Sequence, residues 1–313
     1  MRKFIIKTIC ISSIFVIFFV MIARIYSWCA KYNHFPFIEA YEQKEKLLLE
    51  VPQPRIIFQG GSNVTYGILS EEVEDSIQIH TANIAVQAGL GLRLMLSLVS
   101  ENCREGDVLV LSPEYQHFYG WAYGKEETLA ILTMSHPNIA KHYNSKQIMT
   151  AVKGIPDAFQ ILRNEFCYAI KDIVGGSSDN KRYKTQVHNS HGDDVFHMSN
   201  VLDSHEIEII PFQEKFDEEY FNEFCATVDT LKNRGVNVLI FPPTVYDKVY
   251  KIEKDKMQFV ADRLRKAGHP FEYDQNLSIY DIADMYDTQN HLNKTGTEKR
   301  THLTIEFLRN KLK

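Results

Sequence analysis

The 313-residue sequence has little of what marks several protein classes. Its five cysteines are an odd number without CxxC spacing, which excludes a disulfide-rich scaffold and leaves no visible zinc or thiol-redox motif. A formal net charge of −5 offers no broad basic surface, so we expect no nucleic-acid partner. With 44% hydrophobic and 24% charged residues, the composition is that of a folded globular protein.

Long hydrophobic runs are also scarce, because only one segment is long enough to cross a membrane. Residues Thr8–Ala23 contain no charged side chain, and adding Phe4–Lys7 gives a length that spans about 30 Å of hydrocarbon. Basic residues before the run place the short N-terminus in the cytoplasm and the rest of the chain outside. The alternative is a cleaved signal peptide, but no good pair of small residues marks a cleavage site.

The remaining sequence predicts an α/β fold. Residues 1–25 form the predicted transmembrane anchor, 26–54 a stalk and entry helix, and 55–313 one domain with a polar excursion at 175–204. Short apolar strands alternate with helices, which is typical of a three-layer, open, mostly parallel sheet. The predicted strands are 55–59, 81–84, 107–111 and 236–241. The predicted helices are 90–102, 155–174, 216–234, 255–266 and 298–312.

A serine follows the first predicted strand. The segment Gly60-Gly61-Ser62-Asn63 would lie at the carboxyl end of the sheet, where open parallel sheets bind ligands. Ser62 is a plausible nucleophile if a base lies nearby. The alternative is a tight turn in which Ser62 caps the next helix.

A histidine near the C-terminus supplies a candidate base. His291 precedes the last predicted helix, and Asp287 lies four residues earlier. An aspartate that binds one ring nitrogen leaves the other to accept the serine proton. Asp284 is a competing partner for His291, and an incidental loop pair is the alternative for both.

Together these segments resemble the SGNH/GDSL hydrolase superfamily. The similarity is greatest to its membrane-anchored extracytoplasmic branch, which includes D-alanyl transfer and polysaccharide O-acetylation proteins. The motifs that carry this resemblance are GGSNVTYG at 60–67, NIAVQAGLG at 83–91, LVLSPEYQHFYG at 109–120 and DTQNHLNKTG at 287–296.

The resemblance implies Ser62 as nucleophile, His291 as general base and acid, and Asp287 as the residue that orients it. It also implies an oxyanion hole made by the amides of Ser62 and a glycine, for which we prefer Gly89 over Gly91.

Two positions depart from the family pattern. Gly61 replaces the aspartate of GDS, and the third motif lacks its donor asparagine and has Glu114 instead, which accepts rather than donates when ionised. Asn63 and Tyr115 are the candidate replacement donors and substrate contacts.

The polar excursion holds a second group of candidates. His191 and Asp193 are expected to contact a polar acceptor over the crevice, and the alternative is a divalent-metal site with the neighbouring His188, Asp194 and His197. No ligand pair has a recognised metal spacing, so we predict neither a metal nor another cofactor.

Two of three glycosylation sequons, at Asn63 and Asn293, fall inside the proposed catalytic motifs, and the third is at Asn276. A glycan there would block the site, so the catalytic hypothesis points to a bacterium. We therefore expect a single-pass protein of the bacterial inner membrane with an extracytoplasmic domain.

The expected function is serine-dependent acyl transfer or deacylation on a cell-envelope or exported polysaccharide. The resemblance implies a multispanning acyl-donor membrane protein as partner. The main alternative is a catalytically inactive binding protein of envelope assembly. An anchored glycosyltransferase is a further alternative, but the sequence has no DxD motif for a nucleotide sugar.

Overall fold

The computed structural model describes residues 1–33, 36–175, 188–199, 207–213, 215–271 and 275–313. The chain divides into two compact units, Met1–Glu39 with Lys125–Thr185, and Ala40–Gly124 with Gln186–Lys313. Residues 125–185, which lie inside the single domain expected over 55–313, thus group with the N-terminal segment. Between residues 103 and 154 the sequence pattern predicts only the strand at 107–111.

The structure has a helix at each of the five predicted positions and further helices elsewhere. They are α1 (Arg2–Asn33), α2 (Pro36–Glu50), α3 (Ser62–Thr65), α4 (Ser70–Ile77), α5 (Leu92–Asn102), α6 (Glu126–Ser135), α7 (Ser145–Lys153), α8 (Ile155–Gly175), α9 (Glu218–Asn233), α10 (Asp247–Lys266), α11 (Gln275–Ser278) and α12 (Lys294–Lys311). Helix α10 begins eight residues before the predicted start, and its buried side chains recur at helical spacing from Val249 onward.

The second unit contains a four-stranded parallel sheet, which confirms the α/β class and all four predicted strands. The strands are β1 (Arg55–Gly60), β2 (His80–Asn83), β3 (Val108–Ser112) and β4 (Asn237–Ile240), in the order β2-β1-β3-β4. Two further short strands, β5 (Val245–Tyr246) and β6 (Ile279–Tyr280), pair with each other in parallel.

Side chains on the two faces of β1 pack against different helices. Ile56 and Phe58 belong to an apolar cluster with Ile305 and Leu308 of α12. Gln59, which alternates with Phe58 and so lies on the opposite face, donates to the carbonyl of Met95 on α5 at 3.3 Å. Helices on both faces therefore bury β1, whose side chains are buried throughout.

The first unit is built from helices. Helix α1 packs against α8 and α6, and the rings of Phe19 and Phe159 stack with centroids 5.1 Å apart. Ala130 and Ile131 of α6 form an apolar core with Ala158 and Leu162 of α8. Within α1, the stretch Lys3–Ile25 is long and apolar enough to cross a membrane.

The predicted excursion at 175–204 lies partly outside the described residues. Gly175 ends α8, and residues 188–199 belong to the second unit, where they contact the end of β2 and α3. The amide of Asn83 donates to the carbonyl of His191 at 2.7 Å, and the amide of Asp194 donates to the carbonyl of Thr65 at 3.3 Å.

Candidate functional site

The segment Gly60–Gly67, called the serine loop below, turns sharply from β1 into α3. A Cβ at Gly60 would lie 2.5 Å from the carbonyl oxygen of Ser112, and a Cβ at Gly61 would collide with a carboxylate oxygen of Glu114. Glycine is therefore required at both positions by the close approach of the β3 end. The Gly61 contact also shows why no aspartate stands before Ser62: Glu114 places its own carboxylate in that space.

Asn63, next to Ser62, is fully buried and fully bonded. Its Nδ2 donates to the Ser112 carbonyl at 3.1 Å and to Glu114 Oε1 at 3.2 Å. Its Oδ1 accepts from the Ser112 hydroxyl at 3.0 Å and from Arg300 at 3.0 Å. The backbone amide of Asn63 also donates to Glu114 Oε1, at 3.1 Å.

Arg300 of α12 completes this buried cluster. Its guanidinium donates to the Asn63 carbonyl at 3.1 Å and to the Ser112 hydroxyl at 2.9 Å, and it also binds the Thr244 hydroxyl. Burial lowers the pKa of Arg300 to about 10, against the opposing effects of Tyr280 and Glu114, so the group stays protonated at neutral pH. We call Asn63, Ser112, Glu114 and Arg300 the loop-anchor network, because it fixes the serine loop to β3 and α12.

His291 and Asp287 form a close pair at the other side of the serine loop. The distance from His291 Nδ1 to Asp287 Oδ1 is 2.7 Å, and the two side chains are 15% and 26% exposed. Burial by itself would raise the pKa of Asp287, but the hydrogen bond and charge of His291 outweigh it and hold the pKa below the ordinary value. The carboxylate thus fixes the imidazole through Nδ1 and leaves Nε2 for other chemistry.

The competing partner Asp284 is engaged elsewhere. Both of its carboxylate oxygens accept from Lys299, at 2.7 and 2.8 Å. Asp281 caps a short helical turn by accepting from the amide of Ala283 at 2.7 Å. Of the three aspartates with this spacing, Asp287 is therefore the partner of His291.

Segments of the second unit that are far apart in the sequence meet at the serine loop. The ring of Tyr66 lies 4.4 Å from the imidazole of His291 between centroids, and the carbonyl of Tyr66 accepts from the Thr297 hydroxyl at 2.9 Å. Asn290, beside His291, accepts from Gln116 at 3.2 Å and donates to the Thr244 carbonyl at 2.6 Å. These contacts place the imidazole beside the loop that carries Ser62.

Ser62 itself is half-buried, and its hydroxyl lies 3.4 Å from Glu114 Oε1. Among the described residues, no hydrogen bond joins the Ser62 hydroxyl to His291. At 3.4 Å the contact with Glu114 is long and weak. Ser62 and the Asp287–His291 pair therefore adjoin the same loop, with the serine hydroxyl turned toward Glu114.

The predicted oxyanion donors lie beside the same turn. Gly89 is buried in a 3₁₀ turn, Ala88–Leu90, and a Cβ at Gly61 would lie 3.1 Å from the Cβ of Ala88. The amides of Ser62 and Gly89 donate to no other group within the described part of the chain. Two donors in this position suit a developing negative charge.

Three of the four other expected substrate contacts are buried and have no exposed side chain to bind a substrate. Asn63 is occupied within the loop-anchor network, and Tyr115 is buried against the rings of Phe212 and Phe271. Asp193 is buried and accepts from the Ser70 amide at 2.7 Å and from the Ser70 hydroxyl at 2.6 Å. The structure therefore gives these three residues roles inside the fold, which corrects their expected role as substrate contacts.

His191 is partly buried, with 18% of its side chain exposed, and lies beside a carboxylate. Its Nε2 is 3.3 Å from Glu74 Oε2. Within the described ranges, no group of three or more histidine, cysteine, aspartate or glutamate side chains is placed to hold a metal ion.

Sequence reasoning did not find Arg300, and it gave no role to Tyr66 and Asn290 although both lie inside the quoted motifs. Glu114 was noticed only as a missing donor. A single arginine in an amphipathic helix gives no signal that it is buried, and only the packing of α12 on the strand ends shows it.

Comparison with known proteins adds no assignment, because neither a family model nor a curated protein matches this chain.

Proposed function

We propose that this protein is a serine-dependent acyltransferase or esterase that acts on a cell-envelope or exported polysaccharide. The single observation that carries the proposal is the meeting of the serine loop with the Asp287–His291 pair. A nucleophile, an oriented imidazole and two amides beside them make up the set that acyl transfer requires. A three-layer SGNH-type domain is part of the same proposal.

The reaction follows from the roles of these groups. The Ser62 hydroxyl rotates from Glu114 toward His291, whose Nε2 takes its proton as Oγ bonds to the acyl carbonyl carbon. The amides of Ser62 and Gly89 stabilise the oxyanion, and removing one such donor typically costs about 3 kcal/mol. His291 then returns the proton to the departing alcohol, which leaves an acyl-serine.

The second half of the reaction reverses these steps with a different oxygen. A sugar hydroxyl, or water in hydrolysis, gives its proton to His291 Nε2 and attacks the acyl carbonyl. The acyl group leaves Ser62, and the serine oxygen takes the proton back. Asp287 holds the imidazole throughout and stabilises it while it is charged.

The location is proposed together with the function. Helix α1 would cross the inner membrane of a bacterium once, with the rest of the chain outside the cytoplasm. The burial of Asn63 agrees with a chain that carries no glycan at this sequon. A multispanning membrane protein would supply the acyl group, and the envelope or exported glycan would accept it.

A fluorophosphonate probe tests the serine directly. We expect the full-length protein to be labelled, labelling to be lost in Ser62→Ala, and labelling to be unchanged in Ser190→Ala, which removes an exposed serine. Loss of envelope acylation in a Ser62→Ala strain is the test if the donor protein is needed to complete the oxyanion hole.

A second function is favoured by the direction of the Ser62 hydroxyl. Its contact with Glu114 instead of His291 suits a non-catalytic glycan-binding protein of envelope assembly. If the folded wild-type protein resists the probe and the Ser62→Ala strain acylates its envelope normally, this binding function replaces the enzymatic one.

A further inference from the structure

Helix α7 exposes an apolar face. Ile148, Met149 and Val152 are 47%, 56% and 54% exposed, and their spacing places them on one side of the helix. The opposite side is buried through Gln147 and Ala151. Three large apolar side chains that share an exposed helix face mark a contact surface more often than a solvated one.

On either side of α7 in the sequence, a residue contacts α1 near the end of its apolar stretch. The guanidinium of Arg24 donates to the carbonyls of Met134 and Ser135, at 3.3 and 2.6 Å, and α7 starts ten residues after Ser135. At its other end, Val152 precedes Phe159 by seven residues, and Phe159 stacks on Phe19. Helix α7 therefore lies within the stretch 136–158, whose two flanking segments contact α1 at Arg24 and Phe19.

The depth of these contacts follows from helix geometry. A span that starts at Phe4 covers about 30 Å in 20 residues and ends near Ala23. Phe19 then lies about 6 Å inside the end of the span. Interfacial helices bury their apolar faces to about this depth, at the boundary between headgroups and acyl chains.

The charges around the apolar face suit a lipid surface. Lys146 and Lys153 are exposed on α7, and Lys141 is exposed just before it. Basic side chains that flank an apolar face attract anionic headgroups while the apolar side chains insert.

We propose that α7 is an interfacial helix whose Ile148–Met149–Val152 face inserts into the outer surface of the bilayer that α1 crosses. The inference rests on the proposed membrane span and is independent of the catalytic residues. Its consequence is that the first unit is held at the membrane by two elements, α1 and α7.

A fluorophore at position 149 tests the insertion in the full-length protein. The label is attached to Met149→Cys in nanodiscs of anionic lipid, in a background in which Cys10, Cys29 and Cys167 are serine. Burial raises the pKa of Cys225 to about 11 and that of Cys103 to about 12, so these two thiols react little at neutral pH. A second sample carries the label at Ile14→Cys, inside the span.

Lipids with a nitroxide near the headgroup should reduce the fluorescence at position 149 to about half, and lipids with a deep nitroxide should reduce it less. Adding Ile148→Ser and Val152→Ser should remove this quenching. Ile252→Ser, which removes an exposed isoleucine of α10, should leave it unchanged.

The label at position 14 separates two kinds of failure. Quenching at 14 without quenching at 149 would overturn the interfacial helix and leave the span intact. That result would instead point to a protein partner for the apolar face. Absence of quenching at both positions would overturn the span and the interfacial helix together, while the probe of Ser62 would still report on the catalytic proposal.

Discussion

The two polar regions beside Ser62 differ in solvent exposure. In the loop-anchor network, Asn63 and Arg300 are 0% exposed and Glu114 is 2% exposed. In the Asp287–His291 pair the side chains are 26% and 15% exposed. Charges that must stay fixed can be buried when they are hydrogen-bonded or paired, whereas groups that exchange protons need access to solvent or substrate. The comparison separates residues that position the serine loop from residues that react.

The largest effect should come from the exposed pair. Asp287→Asn removes the carboxylate charge and disturbs the tautomer of His291, so the acylation rate should fall by about 10⁴-fold, or about 5.5 kcal/mol of activation energy. The rate of fluorophosphonate labelling measures this change. Because the pair is partly exposed, the thermal midpoint of the full-length protein should change little.

Asp284→Asn is the matched control for this variant, since Asp284 binds Lys299 and not His291. Its labelling rate should match that of the wild type. Equal losses in the two variants would contradict the assignment of Asp287.

The buried network should show the opposite behaviour, with a large effect on folding. Arg300→Met removes the counter-charge of the buried Glu114 carboxylate and the hydrogen-bond donor of the Asn63 carbonyl. This change should lower the free energy of unfolding by about 3–5 kcal/mol. Chemical denaturation of the full-length protein in detergent measures it. Fluorophosphonate labelling of Ser62 should fall only to the extent that the variant displaces the serine loop.

Arg265→Met provides the comparison on the surface. Arg265 pairs with Asp262 at 2.7 Å, but both side chains are more than half exposed. Its removal should cost at most about 1 kcal/mol. If both arginine variants lose the same stability, the loop-anchor network does not hold the fold as described.

The parallel sheet could be predicted from the sequence because β1, β3 and β4 contain short apolar runs, whereas β2, with the sequence HTAN, carries a weaker signal. Asp287 and His291 could be identified because they sit four residues apart in one loop. Arg300 and Glu114 could not, since their roles depend on where α12 and the β3 end pack in three dimensions. Helix α6 was missed because its buried residues, Thr128–Leu132, are consecutive and give no helical periodicity. Helix α7 was missed because its apolar residues are divided between a buried and an exposed side.

The space before Ser62 offers a finer test of the network. Gly61→Asp introduces the aspartate of a GDS motif but places a side chain and a second charge against Glu114, so it should cost about 3 kcal/mol of stability. Glu114→Ala should cost about 1–3 kcal/mol, because it leaves buried donors of Asn63 without a partner. The double variant should be at least about 1 kcal/mol more stable than the sum of the two.

Gly61→Ala separates steric overlap from charge, since it adds only the Cβ. Denaturation of the wild type, Gly61→Asp, Glu114→Ala and the double variant gives the interaction energy of the two side chains. Strict additivity of Gly61→Asp and Glu114→Ala would show that the two side chains do not compete for this space.

The smallest expected effect is a pH dependence that belongs to the exposed pair alone. The pKa of Asp287 is lower in the folded protein than the value of about 3.9 of a free aspartate, because the bond to His291 outweighs burial. The carboxylate therefore contributes stability above about pH 4, and this contribution is lost as the pH falls through the folded pKa. The difference in unfolding free energy between wild type and Asp287→Asn should shrink as the pH falls below about 4. Denaturation curves at pH 6, 5, 4 and 3 measure it. A difference that grows on acidification would mean that Asp287 is protonated more readily in the fold than in the unfolded chain, and the Asp287–His291 pair would then lack the charge that the proposed chemistry needs.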